Sequence, residues 1–310
     1  MKIFGVRLFL RKKFFVRQRR HTIFCMKEAA YYNGEIGEAS EMRVPFLERT
    51  NFFGDAVYDV TYAQDYGLFA IGEHTERLFA SARRAGIEPP LARCELIDRV
   101  RRTARACDSG DLMVYMQFSG GAGRREHVRR TSPSVWIYCF PKSVEDRERK
   151  YKLITMPDVR YGLCGIKTIN LLPNVLAANA ADSVGADECI LLTGNTVNEC
   201  AHSNVSILKD GTLTASPARG QILDGISMRR LIAACAELGI PVSRRTFTLE
   251  EVKGADEVIV TSSGVPCTAA ERVDGIKVGG RSERLLARLK DMLYGGFELA
   301  CALDRGEYGK

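Results

Sequence analysis

The sequence predicts a two-domain α/β protein, with a smaller N-terminal α+β domain followed by a larger C-terminal domain. Three observations lead there. The chain of 310 residues, 45% hydrophobic and 27% charged, has the composition of an ordinary globular protein and enough length for two cores. Strand-like and helix-like patterns alternate along it. A charged, nearly apolar-free run, KSVEDRERK at 142–150, separates two sets of apolar strands and marks the expected boundary. The domains are therefore placed at 26–145 and 146–310, with residues 1–25 as a basic extension.

From 29 to 71, AAYYNGEIG and VYDVTYAQDYGLFAIG read as strands and hairpins. EHTERLFASARRAGI follows as an amphipathic helix with Leu78, Ala82 and Ala85 on its apolar face. A second helix is expected at LARCELIDRVRRTARAC. DLMVYMQFSGG and SVWIYCFP read as strands flanking a Gly- and Arg-rich loop, GGAGRREHVRRTS. Beyond the boundary the pattern predicts a helix over about 171–184, strands at DECILLTG and HSNVSILKDGTLTAS, and a helix after GIS. DEVIVTSSG then reads as a buried strand ending in a small-residue turn, before a short strand and a C-terminal helix.

The formal charge of +7 suggests a nucleic-acid or anionic-membrane partner until its position is considered. Residues 1–25 hold eight Lys and Arg and no acid, and subtracting these eight from +7 leaves −1 for residues 26–310. A neutral body argues against a nucleic-acid-binding face. The arm lacks the apolar core of a secretory signal, so it reads either as an extension upstream of Met26 or as a segment that lies on anionic lipid. The ten cysteines are scattered singly without metal spacing and read as buried reduced thiols, which points to the cytoplasm. No metal site and no transmembrane helix are expected.

Lys167 stands inside an apolar, small-residue run, YGLCGIKTINLLPNVLAANAA. Two readings are open from the residues alone: a lysine snorkelling to water from a helix edge, or an amine in a partly desolvated pocket, where it becomes a nucleophile. In ILDGISMRRLIAACAELGI a Gly-Ile-Ser turn opens an amphipathic helix, and the free N–H groups of such a start suit a phosphate. Thr261, Ser262 and Ser263 form a hydroxyl cluster at a strand end. Glu199 closes a polar turn, either as a turn cap or as a functional acid. An amine, a phosphate cradle and a lone carboxylate fit one cofactor, pyridoxal 5′-phosphate, whose pyridine nitrogen needs an acidic partner to act as an electron sink.

The ordered stretches FFGDAVYDV, EHTERLFASA, GRREH, DVRYGLCGIKTINLLPNVLA, NECAHSN, ILDGIS and VTSSGV, spread over about residues 29–295, resemble the class IV, fold-type IV pyridoxal phosphate enzymes. That family includes D-amino acid, branched-chain and R-amine aminotransferases and aminodeoxychorismate lyase. The resemblance implies that the cofactor sits in the cleft between the domains, that Lys167 holds it covalently and later moves a proton, and that Glu199 pairs with its pyridinium nitrogen. It implies that Arg77 clamps the phosphate with backbone donors at Ile226 and Ser227 and the Ser263 hydroxyl, that Leu223 packs on the ring, and that Arg160 lies near the cofactor. Tyr161 stands where the family often has Trp, Cys200 where many members have Gly, and His202 where a small hydroxyl residue is common.

For substrate, Arg125 and His127 have the spacing of the pair that members resembling the D-amino acid aminotransferases reach across from the partner subunit to hold a carboxylate, helped by a tyrosine matching Tyr58. A planar guanidinium suits such two-point binding. The flanking Arg124, Arg129 and Arg130 read as solvated loop charges, and FSGG at 118–121 departs from the Thr-Arg-Gly typical of the family. The resemblance thus implies a homodimeric, ping-pong aminotransferase that moves the amino group of a D-amino acid such as D-alanine to a 2-oxo acid. The alternatives are aminodeoxychorismate lyase, a branched-chain L-amino acid aminotransferase, and a non-catalytic binding protein with a basic arm.

Overall fold

The computed structural model describes residues 26–308, so the expectations attached to the basic arm at 1–25 lie outside the described residues. The first half of the chain forms β1 (Ala29–Tyr32), β2 (Glu35–Glu38), α1 (Thr50–Phe53), β3 (Ala56–Gln64), β4 (Gly67–Leu68), α2 (Ile71–Arg84), α3 (Arg93–Arg105), β5 (Leu112–Ser119) and β6 (Ser134–Pro141). Its strands make an antiparallel sheet in the order β2-β1-β6-β5-β3-β4. Along β5, Leu112, Val114, Met116 and Phe118 alternate onto one face and are all 0% exposed, as the two-residue period of a strand requires. Leu78 and Ala82 of α2, with Leu96 and Val100 of α3, meet them as i, i+4 pairs in one core. The short helix α1 was not legible in FFG, because a four-residue turn carries no period.

The second half forms β7 (Lys150–Pro157), α4 (Leu172–Ser183), β8 (Glu188–Thr193), β9 (Thr196–Cys200), β10 (Asn204–Lys209), β11 (Thr212–Ala215), α5 (Ile226–Glu237), β12 (Val242–Ser243), α6 (Leu249–Gly254), β13 (Glu257–Ser262), β14 (Val265–Val273), β15 (Ile276–Lys277) and α7 (Glu283–Tyr308). Its sheet runs β12-β11-β10-β13-β14-β7-β8-β9, with β15 beside β14 and a parallel centre at β14-β7-β8. Strands at such a centre are covered on both faces and read as continuous apolar runs. Accordingly Val258, Ile259 and Val260 of the neighbouring β13 are each 0% exposed. Pro173 stands in the first turn of α4, where its missing N–H is not needed.

The two halves are tied by α7. Leu68 N donates to Asp304 Oδ2 at 3.0 Å, Arg101 Nη2 donates to Asp304 Oδ1 at 2.6 Å, and Phe297 and Cys301 pack with Tyr62 and Phe69. Residues 142–149 are coil held by ion pairs, before β7 begins at Lys150: Arg149 reaches Glu145 and Asp187 at 2.6 Å each, and Arg147 reaches Asp291. Among the described residues no helix is long and apolar enough to cross a membrane. A Cβ on Gly67 would lie 2.0 Å from the Cys301 carbonyl oxygen. We therefore expect Gly67→Ala to cost about 1–3 kcal/mol by overpacking this seam; a lowered urea midpoint checks it, and an unchanged midpoint would contradict the close approach.

Candidate active site

A cavity of about 440 Å³ opens between the two halves. Its floor carries Lys167, on a segment that runs from β7 toward α4 and pairs with the edge of β3 beyond the reach of β4. Tyr58 N donates to Lys167 O at 2.9 Å, Ile169 N donates to Ala56 O at 3.2 Å, and Val57 bridges Thr168. Gly54, at φ 60°, ends α1 and receives Asn170, whose Nδ2 donates to Gly54 O at 3.2 Å. A side chain at Gly54 would strike Asn170 Oδ1 at 2.4 Å. Lys167 is half-buried, and its Nζ lies 3.3 Å from the Tyr58 hydroxyl and 4.4 Å from that ring's centroid. Tyr58 is stacked in turn on Tyr115 at 5.4 Å. A helix-edge lysine in open water is therefore not what the chain folds.

Glu199 forms the opposite wall, at the end of β9 where the chain turns straight into β10. Asn204 Nδ2 donates to Glu199 Oε2 at 2.9 Å, Leu223 N donates to the same oxygen at 3.1 Å, and Arg160 Nη1 donates to Oε1. Arg160 is held by Asp158 through Nε at 3.0 Å and Nη2 at 2.8 Å, and Asp158 accepts from Asn198 Nδ2 at 2.7 Å. Burial pushes the Glu199 carboxyl above its ordinary value despite the Arg160 charge beside it. Close approach of Gly225 to Asn204 Oδ1, where a Cβ would lie at 1.9 Å, brings the start of α5 against this wall.

The third side is the N-terminus of α5, where the N–H groups of Ile226 and Ser227 belong to the unpaired first turn of the helix. Ser227 Oγ donates to Ser262 O at 2.7 Å, so that hydroxyl fixes the helix start. Ser263 and the buried Thr261 line the cavity beside it, and Thr261 Oγ1 has no hydrogen-bond partner among the described residues. Arg77 reaches the same place from α2. Its Nε and Nη2 donate to Asp59 at 2.8 and 2.9 Å, and Nη1 donates to Asp224 O at 3.1 Å. His74 Nδ1 lies 2.7 Å from Asp59 Oδ1. Burial opposes charge on Asp59, but Arg77 first and His74 second outweigh it and hold the carboxyl well below the usual range. Burial lowers His74 despite Asp59 beside it, which favours the neutral ring.

The expected site residues Lys167, Tyr58, Arg77, Arg160, Glu199, Leu223, Ile226, Ser227 and Ser263 thus line one cavity. Arg125 and His127 do not; both are exposed on the loop between β5 and β6, and both lie against the Phe53 ring. Arg129, expected to be solvated, is instead paired with Asp55, because its guanidinium fits between that carboxylate and the end of α2. Cys94 is exposed and Cys164 half-buried on the cavity wall, so the thiols are not uniformly buried. Sequence reasoning passed over Asp59, His74, Asp158 and Asn204. The available signal was an acid at a core position of an apolar strand, VYDV, facing a helix that carries an arginine.

The matching family is the class IV aminotransferases, whose family model spans residues 56–273, and the chain belongs to that family. It is 36% identical over 255 residues to the D-alanine aminotransferase of Staphylococcus haemolyticus, covering 80% of this chain and 90% of that one. It is 32% identical to the D-alanine aminotransferase of Listeria monocytogenes serotype 4b, over 87% and 96% of the two chains. In fold it is similar to the branched-chain amino acid aminotransferase of Escherichia coli, at a TM-score of 0.79, 24% identity and coverage of 87% and 94%. The protein is an aminotransferase and its cofactor is pyridoxal 5′-phosphate. The cavity suits that group: the orphaned Thr261 Oγ1 and the open first turn of α5 offer donors to a phosphate, with an amine and a carboxyl at the other walls.

Asp59 has a folded-state pKa below the unfolded value of about 3.9. Its contribution to stability is therefore complete above that value and fades as pH falls below it. We expect Asp59→Asn to lower stability by about 3–5 kcal/mol near neutrality, by leaving the Arg77 charge uncompensated. Urea midpoints from pH 7 to 3 check the sign: the gap to wild type should be constant down to about pH 5 and narrow below about pH 4. A gap that widens in acid would contradict it.

Proposed function

We propose that the protein transfers the amino group of a D-amino acid, D-alanine among them, to a 2-oxo acid by a ping-pong mechanism. The observation that carries the reading is the placement of Arg125 and His127 together against Phe53, outside their own cavity, while Tyr58 stands inside it. Such a pair serves a site in a second copy of the chain, so the working unit is a homodimer. Similarity to two bacterial D-alanine aminotransferases supports the same substrate class. Nine free cysteines among the described residues fit a reducing cytoplasm. We also propose a division into units near residue 145, where the first sheet has ended and the second has not begun.

When bound, the cofactor supplies an electron sink for the electrons of the breaking Cα–H bond. The residues of the chain do the rest. Lys167 Nζ would take up and carry the proton released from the substrate α carbon, and Tyr58 Oη, 3.3 Å away, orients the amine. Glu199, whose carboxyl Arg160, Asn204 and Leu223 N fix, would hold the pyridine nitrogen of the cofactor. Arg77 and the first turn of α5 would hold the phosphate. Arg125 and His127 of a second copy, with Tyr58, hold the substrate carboxylate. The α hydrogen of only one enantiomer then faces Lys167.

The test is the visible absorbance of the holoenzyme after addition of D-alanine, then L-alanine, with Lys167→Ala as control. D-alanine alone should bleach the visible band, with pyruvate formed in equal amount, and the control should show no such band. A response to L-alanine but not D-alanine would overturn the substrate class in favour of an L-amino acid type.

A further inference from the structure

We propose that Arg49, Asp55 and Arg129, with Phe53 as their platform, are positioning residues that set how tightly the Arg125/His127 loop binds a substrate carboxylate. The inference rests on the reading of Arg125 and His127 as the carboxylate pair. Arg49 is 4% exposed, and its guanidinium grips the loop backbone at and next to His127: Nη1 donates to Glu126 O at 2.6 Å and Nη2 to His127 O at 3.2 Å. Its Nε donates to Asp55 Oδ2 at 2.6 Å, and Asp55 pairs from the other side with Arg129. Arg129 also donates from Nη1 to Gly86 O, and so anchors the loop to the end of α2. The loop's root approaches Asp55 so closely that a Cβ on Gly120 would lie 2.3 Å from Oδ2.

The same network sets the side chains. Phe53 has the Arg49 guanidinium 4.7 Å from its centroid, that of Arg125 at 5.2 Å, and the His127 ring at 5.2 Å. Two exposed side chains at alternate positions of a loop would otherwise sample many rotamers, whereas two-point recognition of a carboxylate needs placement to within about 0.5 Å. Burial would raise the Asp55 carboxyl, but its hydrogen bonds from Arg129 and Arg49 hold it below the usual range, so the counter-charge persists at neutral pH. Arg49, Asp55 and Arg129 are absent from the lining of the cavity, so their effect on substrate passes through the loop.

The experiment compares wild-type, Asp55→Asn and Arg49→Lys holoenzymes, with Arg125→Ala in parallel. Propionate, which is alanine without its amine, serves as the carboxylate probe and its Kd is read by calorimetry. D-alaninol, which has no carboxylate, is the control substrate in single turnover. We expect Asp55→Asn to raise the propionate Kd and the KM for D-alanine about tenfold, the size of one lost well-oriented charge-assisted contact. The cofactor band should be unchanged and the D-alaninol rate should stay within about twofold. Arg49→Lys keeps the charge but not the two-carbonyl grip, and should act in the same direction if Asp55→Asn does not fold. Raised Kd in Arg125→Ala with both positioning variants at wild-type values overturns the inference alone. Equal loss with D-alanine and D-alaninol also overturns it, as general damage. An unchanged Kd in Arg125→Ala sinks the carboxylate-pair reading itself.

Discussion

The site depends on a short piece of backbone pairing between the segment around Lys167 and the edge of β3. The bonds from Tyr58 N to Lys167 O and from Ile169 N to Ala56 O make a chain segment of the second half an extra strand of the first sheet. Lysine and tyrosine then stand side by side at the seam, and the cavity exists only because the two halves meet there. The steric demands at Gly54 and Gly225 belong to the same constraint, since each lets backbone approach an asparagine that holds a wall. The cross-seam packing of α7 on β4 fixes the halves from the far side.

Charge is managed by setting a carboxylate against arginines of the site and its loop. Arg77 has Asp59, Arg160 has Asp158, and Arg49 has Asp55. An isolated guanidinium at these depths would carry a desolvation cost of several kcal/mol. The three pairs leave different residual chemistry. Arg77 keeps a face toward the α5 start, Arg160 lends a proton donor to Glu199, and Arg49 spends its donors on loop carbonyls. The His202 imidazole, by contrast, stands on the cavity wall and is 65% exposed, with Nδ1 at 2.7 Å from the buried Glu188.

Much of this was legible in the sequence because it depends on local pattern. The alternation in LMVYMQFS and the i, i+4 pairs in EHTERLFASA give strand and helix directly, and the run around Lys167 declares a cation with no local reason to be there. What stayed hidden depends on long-range pairing. Asp59 meets Arg77 across a strand–helix contact, and Arg129 looks like any basic loop residue until Asp55 is brought to it from 74 positions away. The substitutions at Cys200 and His202 were visible as departures from the family pattern, but the buried partner Glu188 was not.

The central claim is that each working site combines Lys167 of one subunit with Arg125 and His127 of another, and mixing two inactive variants tests it most directly. Lys167→Ala and Arg125→Ala proteins would be unfolded together, refolded with pyridoxal phosphate and assayed with D-alanine. A shared site predicts recovery of about a quarter of wild-type activity, because about half of the randomly formed dimers are mixed and each restores one of two sites. Activity no greater than the average of the two variants alone would contradict the account and place the carboxylate contacts within a single chain.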